Sequence, residues 1–479
     1  MAFVGDSLDV FAERRPERQA LSCGPDTLSW RDLVDRIEAL ERWLRPLTPR
    51  GGRVALCLRN PASLLLCFLA CARSGRIAVV LDPQWPADQA AAVLKAVAPD
   101  VVIDETVFAN IPDNALRPEP VPNPDRDTPP REDESFYAGF TSGSSGLPKG
   151  YLRSHGSWLE SFRLSESAFA IPGESRVVLP GQLTHSLHPY GAVCGLAAGQ
   201  EVVLMPRFDP RAVLGELGRS GSVLYATPTQ LHYLAAAARR GGPVTTVARV
   251  FSSGAKWGDA DRRALDAVFP EAQLYEFYGA SETSFVTIAG PGDSVPEGSV
   301  GRAAEGVDIA IGDPRRPAPP GRSGPVWVRS GLLFSGYICG TAPDTRRQDG
   351  WLTVGDHGFL DQDGFLFLTG RGSRMLVSSG VNVYPEEIEN VLCGHPAVAA
   401  AVVAGLPDPV RGERLEAVVV LSAPLERADE VLMRACKDAL APGKHPRRIH
   451  LRASLTMTAG GKPDVRRIVE DLLAGEKTS

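Results

Sequence analysis

From Phe140 to Gly150 the chain reads FTSGSSGLPKG, with three serines and two glycines between Thr141 and Lys149. Backbone N–H groups and hydroxyls with few bulky side chains can wrap phosphate oxygens, and one lysine neutralises their charge without crowding them. The spacing differs from a Walker loop, in which Gly-Lys runs straight into Ser or Thr, because Lys149 is followed by Gly150. On composition alone a flexible linker accounts for the stretch equally well. Lysine is scarce, however, at seven of 51 basic residues, and this singles out Lys149. Other reactive side chains are scattered. His185 and His188 have no Cys or carboxylate nearby in sequence, which argues against a metal site. Cys67 and Cys71, four apart in the helical run LLLCFLACA, are expected to face one core rather than form a disulfide or bind metal.

The segments around these residues alternate between helical and extended patterns. LSWRDLVDRIEALERWL carries apolar residues at helical spacing, GRVALCL reads as a strand, PASLLLCFLACARSG as a buried helix ended by glycine, and IAVVLD as a strand. DPQWPADQAAAVLKAVAPDVVID repeats helix and strand before a proline-rich, acidic connection from Arg117 to Glu134. SRVVLP, QEVVLMP, SVLYATP, ARVFSSG and QLYEFYG are further strands, several ending at small or turn-forming residues where a ligand can approach backbone. From about residue 296 to 370 short strands and turns replace helices, and after GRGSR a mixed pattern resumes. The expected fold class is α/β. A large N-terminal domain (1–371) of layered α/β subdomains plus a β-rich subdomain precedes a small, mobile α+β C-terminal domain (372–479).

Length and composition agree with that division. At 479 residues the chain exceeds one ordinary core, and 43 % hydrophobic with 23 % charged residues is a globular composition. A net charge of -6 without any Lys/Arg run argues against nucleic acid as a partner. The opening MAFVGDSLDVFAERR lacks the basic start and apolar core of a signal peptide, and no apolar stretch approaches the ~18 residues of a membrane span, so a cytoplasmic location is expected.

The string FTSGSSGLPKG resembles the signature of the adenylate-forming superfamily, which comprises acyl-CoA synthetases, adenylation domains and luciferase-type enzymes. Further resemblances follow in the same order: VVLDPQWPADQAAAVL near residue 85, SSGAKW at 252–257, FYGASE at 277–282, DGWLTVGDHGFL at 349–360, GRGSRMLVSSGVNVYPEEIE at 370–389 and TAGGKPDVRRI at 458–468. Such enzymes join a carboxylate to the α-phosphorus of ATP, expel pyrophosphate, and pass the acyl group to a thiol.

The resemblance implies a role for each match. Thr141, Ser142, Gly143, Ser144, Ser145, Gly146 and Lys149 would embrace the β- and γ-phosphates. Glu282, with Thr141, would hold Mg2+, and Ser281 would touch the α-phosphate where threonine is more usual. Tyr278 would stack on adenine opposite Ser253, Gly254 and Ala255, with Glu276, Phe277 and Gly279 beside the nucleotide. Asp356 would accept from the ribose hydroxyls and Arg371 would reach ribose or phosphate. Lys462 would be the catalytic lysine, bridging carboxylate and α-phosphate as charge develops; the family usually has Ser-Gly-Lys where this chain has Gly-Gly-Lys. Ser373 or Arg374 would be the hinge, although the acidic residue usual there is missing, and Ser379 and Gly380 would face the thiol.

Amino-acid-activating relatives carry an Asp after the phosphate loop. The corresponding LTHSLHPYGAVCG has none, so an acid without an α-amine is expected, lined by His185, Tyr190, Gly254, Gly279 and Ala280. Aliphatic and aromatic acids both fit small residues of this kind. The thiol expected is that of coenzyme A. The alternatives are the phosphopantetheine arm of a separate carrier protein, or, without turnover, an adenylate- or acyl-binding sensor.

Overall fold

The computed structural model describes residues 1–112, 128–141, 147–219, 221–239, 241–254, 259–378, 381–408, 412–457 and 463–476. Its first sheet has six strands in the order Gly336–Cys339, Lys149–Ser154, Ser135–Thr141, Ile77–Val80, Arg53–Cys57 and Val101–Asp104. The last four run parallel, and the first three pair antiparallel. Parallel strands are covered on both faces, which is why RVALC and IAVV are nearly continuous apolar runs. The helix Pro61–Arg73 lies against this sheet, and the Asn60 side chain caps it by accepting from the Ala62 and Ser63 N–H groups at 2.9 and 3.1 Å. It is apolar on all sides and wholly buried from Leu64 to Ala72, so Cys67 and Cys71 are core residues as expected.

The second sheet joins a parallel block to the β-rich part expected after residue 296. Glu201–Leu204, Arg176–Leu179, Ser222–Tyr225, Val247–Ser253 and Gln273–Ala280 are parallel neighbours. From Ser284–Ala289 onward the pairing becomes antiparallel, through Ser299–Ala303, Phe365–Arg371 and Asp356–Leu360. The carboxyl ends of Val247–Ser253 and Gln273–Ala280 open toward the strands flanking the glycine-serine loop.

A third sheet follows the 3-10 turn Gly372–Arg374. Its strands Leu376–Ser378, Val381–Val383, Val398–Asp408, Gly412–Leu421 and Arg448–Leu451 pack with helices Pro385–Cys393 and Ala428–Ala439 around their own core, which includes Ile388, Leu392, Val403, Leu415 and Leu432. The large-domain and C-terminal regions touch where Tyr384 Oη and His357 Nδ1 share a 2.6 Å hydrogen bond. No helix among the described residues is long and apolar enough to cross a membrane.

Candidate active site

A cleft of about 400 Å3 lies between the first two sheets. One wall is built by the strands on either side of the glycine-serine loop. Their antiparallel register sets Thr141 opposite Lys149, Gly139 opposite Tyr151 and Tyr137 opposite Arg153. Strand alternation therefore puts Lys149, Tyr151 and Arg153 on one face of their strand, and all three line the cleft. Lys149 is the first residue of a strand rather than a loop residue. Thr141 Oγ1 is buried and has no hydrogen-bond partner among the described residues. Residues 142–146, and with them Ser142, Gly143, Ser144, Ser145 and Gly146, lie outside the described residues, as do Ala255, Ser379, Gly380 and Lys462.

Strand Gly336–Cys339 pairs with Lys149–Ser154 and brings in Tyr337, which sequence reasoning missed. Lys149 Nζ lies 5.8 Å from the centre of the Tyr337 ring. The Tyr337 hydroxyl donates to Glu282 Oε1 at 2.7 Å and also hydrogen-bonds Thr345 Oγ1 at 3.0 Å. Burial and the Glu282 charge both raise the Tyr337 pKa, so its O–H stays a donor. Glu282 is itself buried, beside a turn in which the Ala280 N–H donates to Thr283 Oγ1 at 2.9 Å. A carboxylate with one oxygen fixed, lining the same cleft as a buried hydroxyl in need of a partner, offers donors of the kind that suit a hard divalent cation.

The opposite wall carries Ser253, Gly254, Phe277, Gly279 and Ser281. Gly254 has φ +102, a conformation closed to most other residues, so the glycine there answers a backbone requirement. Arg371 lines the cleft, whereas Tyr278 and Asp356 do not; they join it through hydrogen bonds, Tyr278 Oη donating to Asp356 Oδ2 at 2.6 Å and Arg371 Nε to Asp356 Oδ1 at 3.0 Å. Asp356 and Arg371 are register partners on neighbouring strands. Burial and then Asp356 raise the Tyr278 pKa, which keeps it neutral. Glu276 points elsewhere: it is buried in an ion pair with Arg262 and does not line the cleft.

The cleft also has aromatic lining. Trp158, Tyr190 and Phe285 line it, with ring centres 5.6 Å apart for Trp158 and Tyr190 and 5.4 Å for Tyr190 and Phe285. Tyr190 Oη donates to the Ser161 carbonyl at 2.8 Å and lies 2.6 Å from Ser165 Oγ, so only its ring faces the cleft as an apolar surface. His185 and Ala280 line the cleft as well. His188 does not: it is buried against Gly181, and burial lowers its pKa to about 4, leaving the imidazole neutral. Arg374 donates to Glu386 and Glu389 at 2.9 and 2.6 Å, which ties the turn after Arg371 to the helix Pro385–Cys393.

A family model described as AMP-binding enzyme matches residues 8–338, and one described as AMP-binding enzyme C-terminal domain matches residues 387–462. The chain belongs to the AMP-binding enzyme family. This AMP-binding enzyme is 36 % identical over 473 residues to an uncharacterized acyl-CoA ligase, YhfT, of Bacillus subtilis, with 94 % of each chain covered. It is 30 % identical over 477 residues to a feruloyl-CoA synthase of an Amycolatopsis species, covering 94 % of this chain and 95 % of that one. Among solved structures it is similar to the amide bond synthetase McbA of Marinactinospora thermotolerans, at 27 % identity and TM-score 0.84 over 98 % of this chain and 99 % of that one. The O-succinylbenzoate coenzyme A synthetase MenE of Bacillus subtilis, solved with ATP and magnesium, matches at 25 % identity and TM-score 0.83 over 96 % and 98 %. These likenesses agree with the fold class read from the sequence and with the expected enzyme class, an AMP-forming acid–thiol ligase.

Proposed function

We propose that this AMP-binding enzyme activates a carboxylic acid without an α-amine by ATP and transfers the acyl group to coenzyme A. The observation that carries this reading is one cleft that gathers Thr141, Lys149, Ser281, Glu282 and Arg371 together with the aromatic rings of Trp158, Tyr190 and Phe285. Lys149 would offset phosphate charge, the unpartnered Thr141 hydroxyl would donate to a phosphate oxygen, and Ser281 would meet the α-phosphate. Glu282, held by Tyr337, and Thr141 would hold Mg2+, which when bound shields the phosphates from the incoming carboxylate. Tyr278 offers a face for adenine, and Asp356 retains lone pairs for the ribose hydroxyls.

In the first step a carboxylate oxygen bonds to the α-phosphorus as the bond to pyrophosphate breaks, with Lys462 stabilising the developing charge. In the second a thiolate sulfur bonds to the acyl carbon, the bond from that carbon to the phosphate oxygen breaks, and AMP leaves. Residues 372–479 would turn about Ser373 or Arg374 between the steps and present Ser379 and Gly380 to the thiol. The relatives named as acyl-CoA ligases and a feruloyl-CoA synthase support coenzyme A as the acceptor. Mass spectrometry of products formed from Mg-ATP, coenzyme A and a panel of aliphatic, aromatic and amino acids tests the reading. Acyl-CoA from a non-amino acid is the expected result. Acyl-AMP without acyl-CoA would overturn the choice of acceptor, and a product from amino acids alone would overturn the choice of acid.

A further inference from the structure

The turn that carries Ser281 and Glu282 is tied down from outside at two successive carbonyls. The Ser281 carbonyl accepts from Arg153 Nη1 at 3.1 Å, and the Glu282 carbonyl accepts from the Phe334 N–H at 2.8 Å. The turn is also tight. A Cβ on Gly279 would stand 1.8 Å from the Ser284 carbonyl oxygen, and Ser284 has φ +58, which is uncommon for a residue other than glycine. Ser284 Oγ lies 3.0 Å from Ser161 Oγ, on the helix His155–Phe169.

Arg153, 4 % exposed, is where the ties converge. Besides the Nη1 bond to Ser281, its planar guanidinium donates from Nε to Ser157 Oγ at 3.1 Å, and from Nη2 to the carbonyls of Leu332 at 2.8 Å and Ser157 at 3.4 Å. One side chain thereby holds the first turn of the helix His155–Phe169, the Ser281–Glu282 turn and the stretch before strand Gly336–Cys339. The bonds close a ring: from Arg153 to Ser281, along the chain to Glu282, across to Phe334, and back through Leu332 to Arg153. Tyr337, whose hydroxyl donates to Glu282 Oε1 at 2.7 Å, follows on the same stretch as Phe334. The guanidinium thus fixes both the main chain of Glu282 and the segment that delivers its side-chain partner. Burial lowers the Arg153 pKa to about 10, with Tyr151, Tyr137, Tyr190 and Glu282 acting the other way, so the group stays cationic at neutral pH. A charged donor binds carbonyl oxygens more strongly than a neutral one.

We infer that Arg153 is a positioning residue for the proposed reaction: through the Ser281 and Leu332 carbonyls it sets the place of the Glu282 carboxylate, and so how strongly the site holds Mg2+ with ATP. This rests on the proposed metal-holding role of Glu282. Arg153 acts through the main chain rather than on the metal or the acid.

The test uses the full chain and measures ATP affinity by calorimetry across a Mg2+ titration, with pyrophosphate release for the acid turned over in the product panel as a second readout. Arg153→Gln should need about tenfold more Mg2+ for half-maximal ATP affinity, and Arg153→Lys, which keeps the charge but not the planar fork, should fall between it and wild type. In a Glu282→Gln background Arg153→Gln should add no further rise, because the carboxylate it places is gone. Glu41→Ala is the control for a merely destabilised fold: Glu41 is buried against Arg73 and does not line the cleft, so the Mg2+ requirement should stay at the wild-type value. If Arg153→Gln does not fold, Ser157→Ala, which removes only the hydroxyl that accepts from Nε, decides, with a rise of about two- to threefold expected. An unchanged requirement in the folded Arg153 or Ser157 variant overturns the inference. So does an equal rise in Glu41→Ala, or an Arg153→Gln effect that persists undiminished without Glu282. If Glu282→Gln itself leaves the Mg2+ titration intact, the metal-holding role falls and this inference with it, while acyl-CoA formation in the product panel still decides the ligase reading separately.

Discussion

Arg73 and Arg153 are both buried in the large N-terminal region, at 7 % and 4 % exposure, but their surroundings differ. Arg73 closes the helix Pro61–Arg73 and donates to Glu41 at 2.7 Å and to Asp9 at 3.0 Å. Burial works against its charge, yet the two carboxylates outweigh burial and hold its pKa above the ordinary value. Arg153 is surrounded by carbonyls and hydroxyls, and burial pulls its pKa down. The first cation is paired with carboxylates within the fold; the second forms no ion pair among the described residues and is held by neutral oxygens. A buried guanidinium is thus held either by counter-charges or by carbonyl and hydroxyl oxygens, and only in the first case is the cost of burial outweighed.

The sharpest way to break this contrast is to disturb the balanced member. Glu41→Ala leaves a buried guanidinium short of one carboxylate and should cost about 3–5 kcal/mol of stability, read by urea denaturation. A loss under about 1 kcal/mol would mean that Arg73 is not held by its counter-charges. Lys462 is, on the proposed mechanism, a cation whose counter-charge is the substrate. Lys462→Ala should lower the rate of adenylate formation by about 100-fold or more while calorimetry shows little change in ATP affinity and melting stays put. Wild-type turnover in that variant would remove Lys462 from the mechanism.

A third way to bury a titratable group is to leave it neutral, as the protein does with His188. Its pKa is lowered from 6.5 to about 4 by burial, so the unfolded chain takes up a proton that the folded chain refuses. The stabilisation is complete above pH 6.5 and fades as the pH falls from 6.5 toward 4, by about 3 kcal/mol in all. Melting temperature measured against pH in wild type and His188→Gln should show a shallower acid slope in the variant; equal slopes would refute the assignment. The smallest effect is expected at Tyr337. Tyr337→Phe keeps the ring beside Lys149 but removes the bond to Glu282, and should raise the Mg2+ requirement of pyrophosphate release a few-fold, about 1 kcal/mol. An unchanged Mg2+ titration would sever Tyr337 from the metal-holding group.

What the sequence disclosed and what it hid divide along contact distance. Runs such as RVALC, RVVL and SVLY announce buried parallel strands because apolar continuity is a local property, and the long helix Trp30–Leu44 shows its period in the same way. The phosphate loop, FYGASE and VGDHG were legible as short strings, and Thr141, Lys149, Ser281, Glu282 and Arg371 from these segments and the following GRGSR do line one cleft. Arg153 and Tyr151 were hidden because their importance depends on the pairing of the two strands around the loop. Period-two alternation from Lys149 through Tyr151 to Arg153 was the signal available, and reading Lys149 as a loop residue concealed it. Tyr337 was hidden more deeply, since nothing near it in sequence reveals that its strand pairs with that of Lys149. Glu276 sits in the right string, yet its side chain is committed to Arg262, a partner on a different element.

The return of strand Gly336–Cys339 to the edge of Lys149–Ser154 has a consequence for how the protein is made. As the chain leaves the ribosome, the strand bearing Lys149 emerges long before the strand that will cover its edge, and a pairing so distant in sequence is slow to form. Until Tyr337 arrives, Glu282 lacks the hydroxyl that fixes it and Lys149 lacks its aromatic neighbour. A nascent chain holding most of the nucleotide-end residues thus has an incomplete site and an open sheet edge at once. The same late strand pairs with the edge of Lys149–Ser154 and brings Tyr337 to Glu282, so the sheet is extended and the carboxylate is fixed in one step of synthesis.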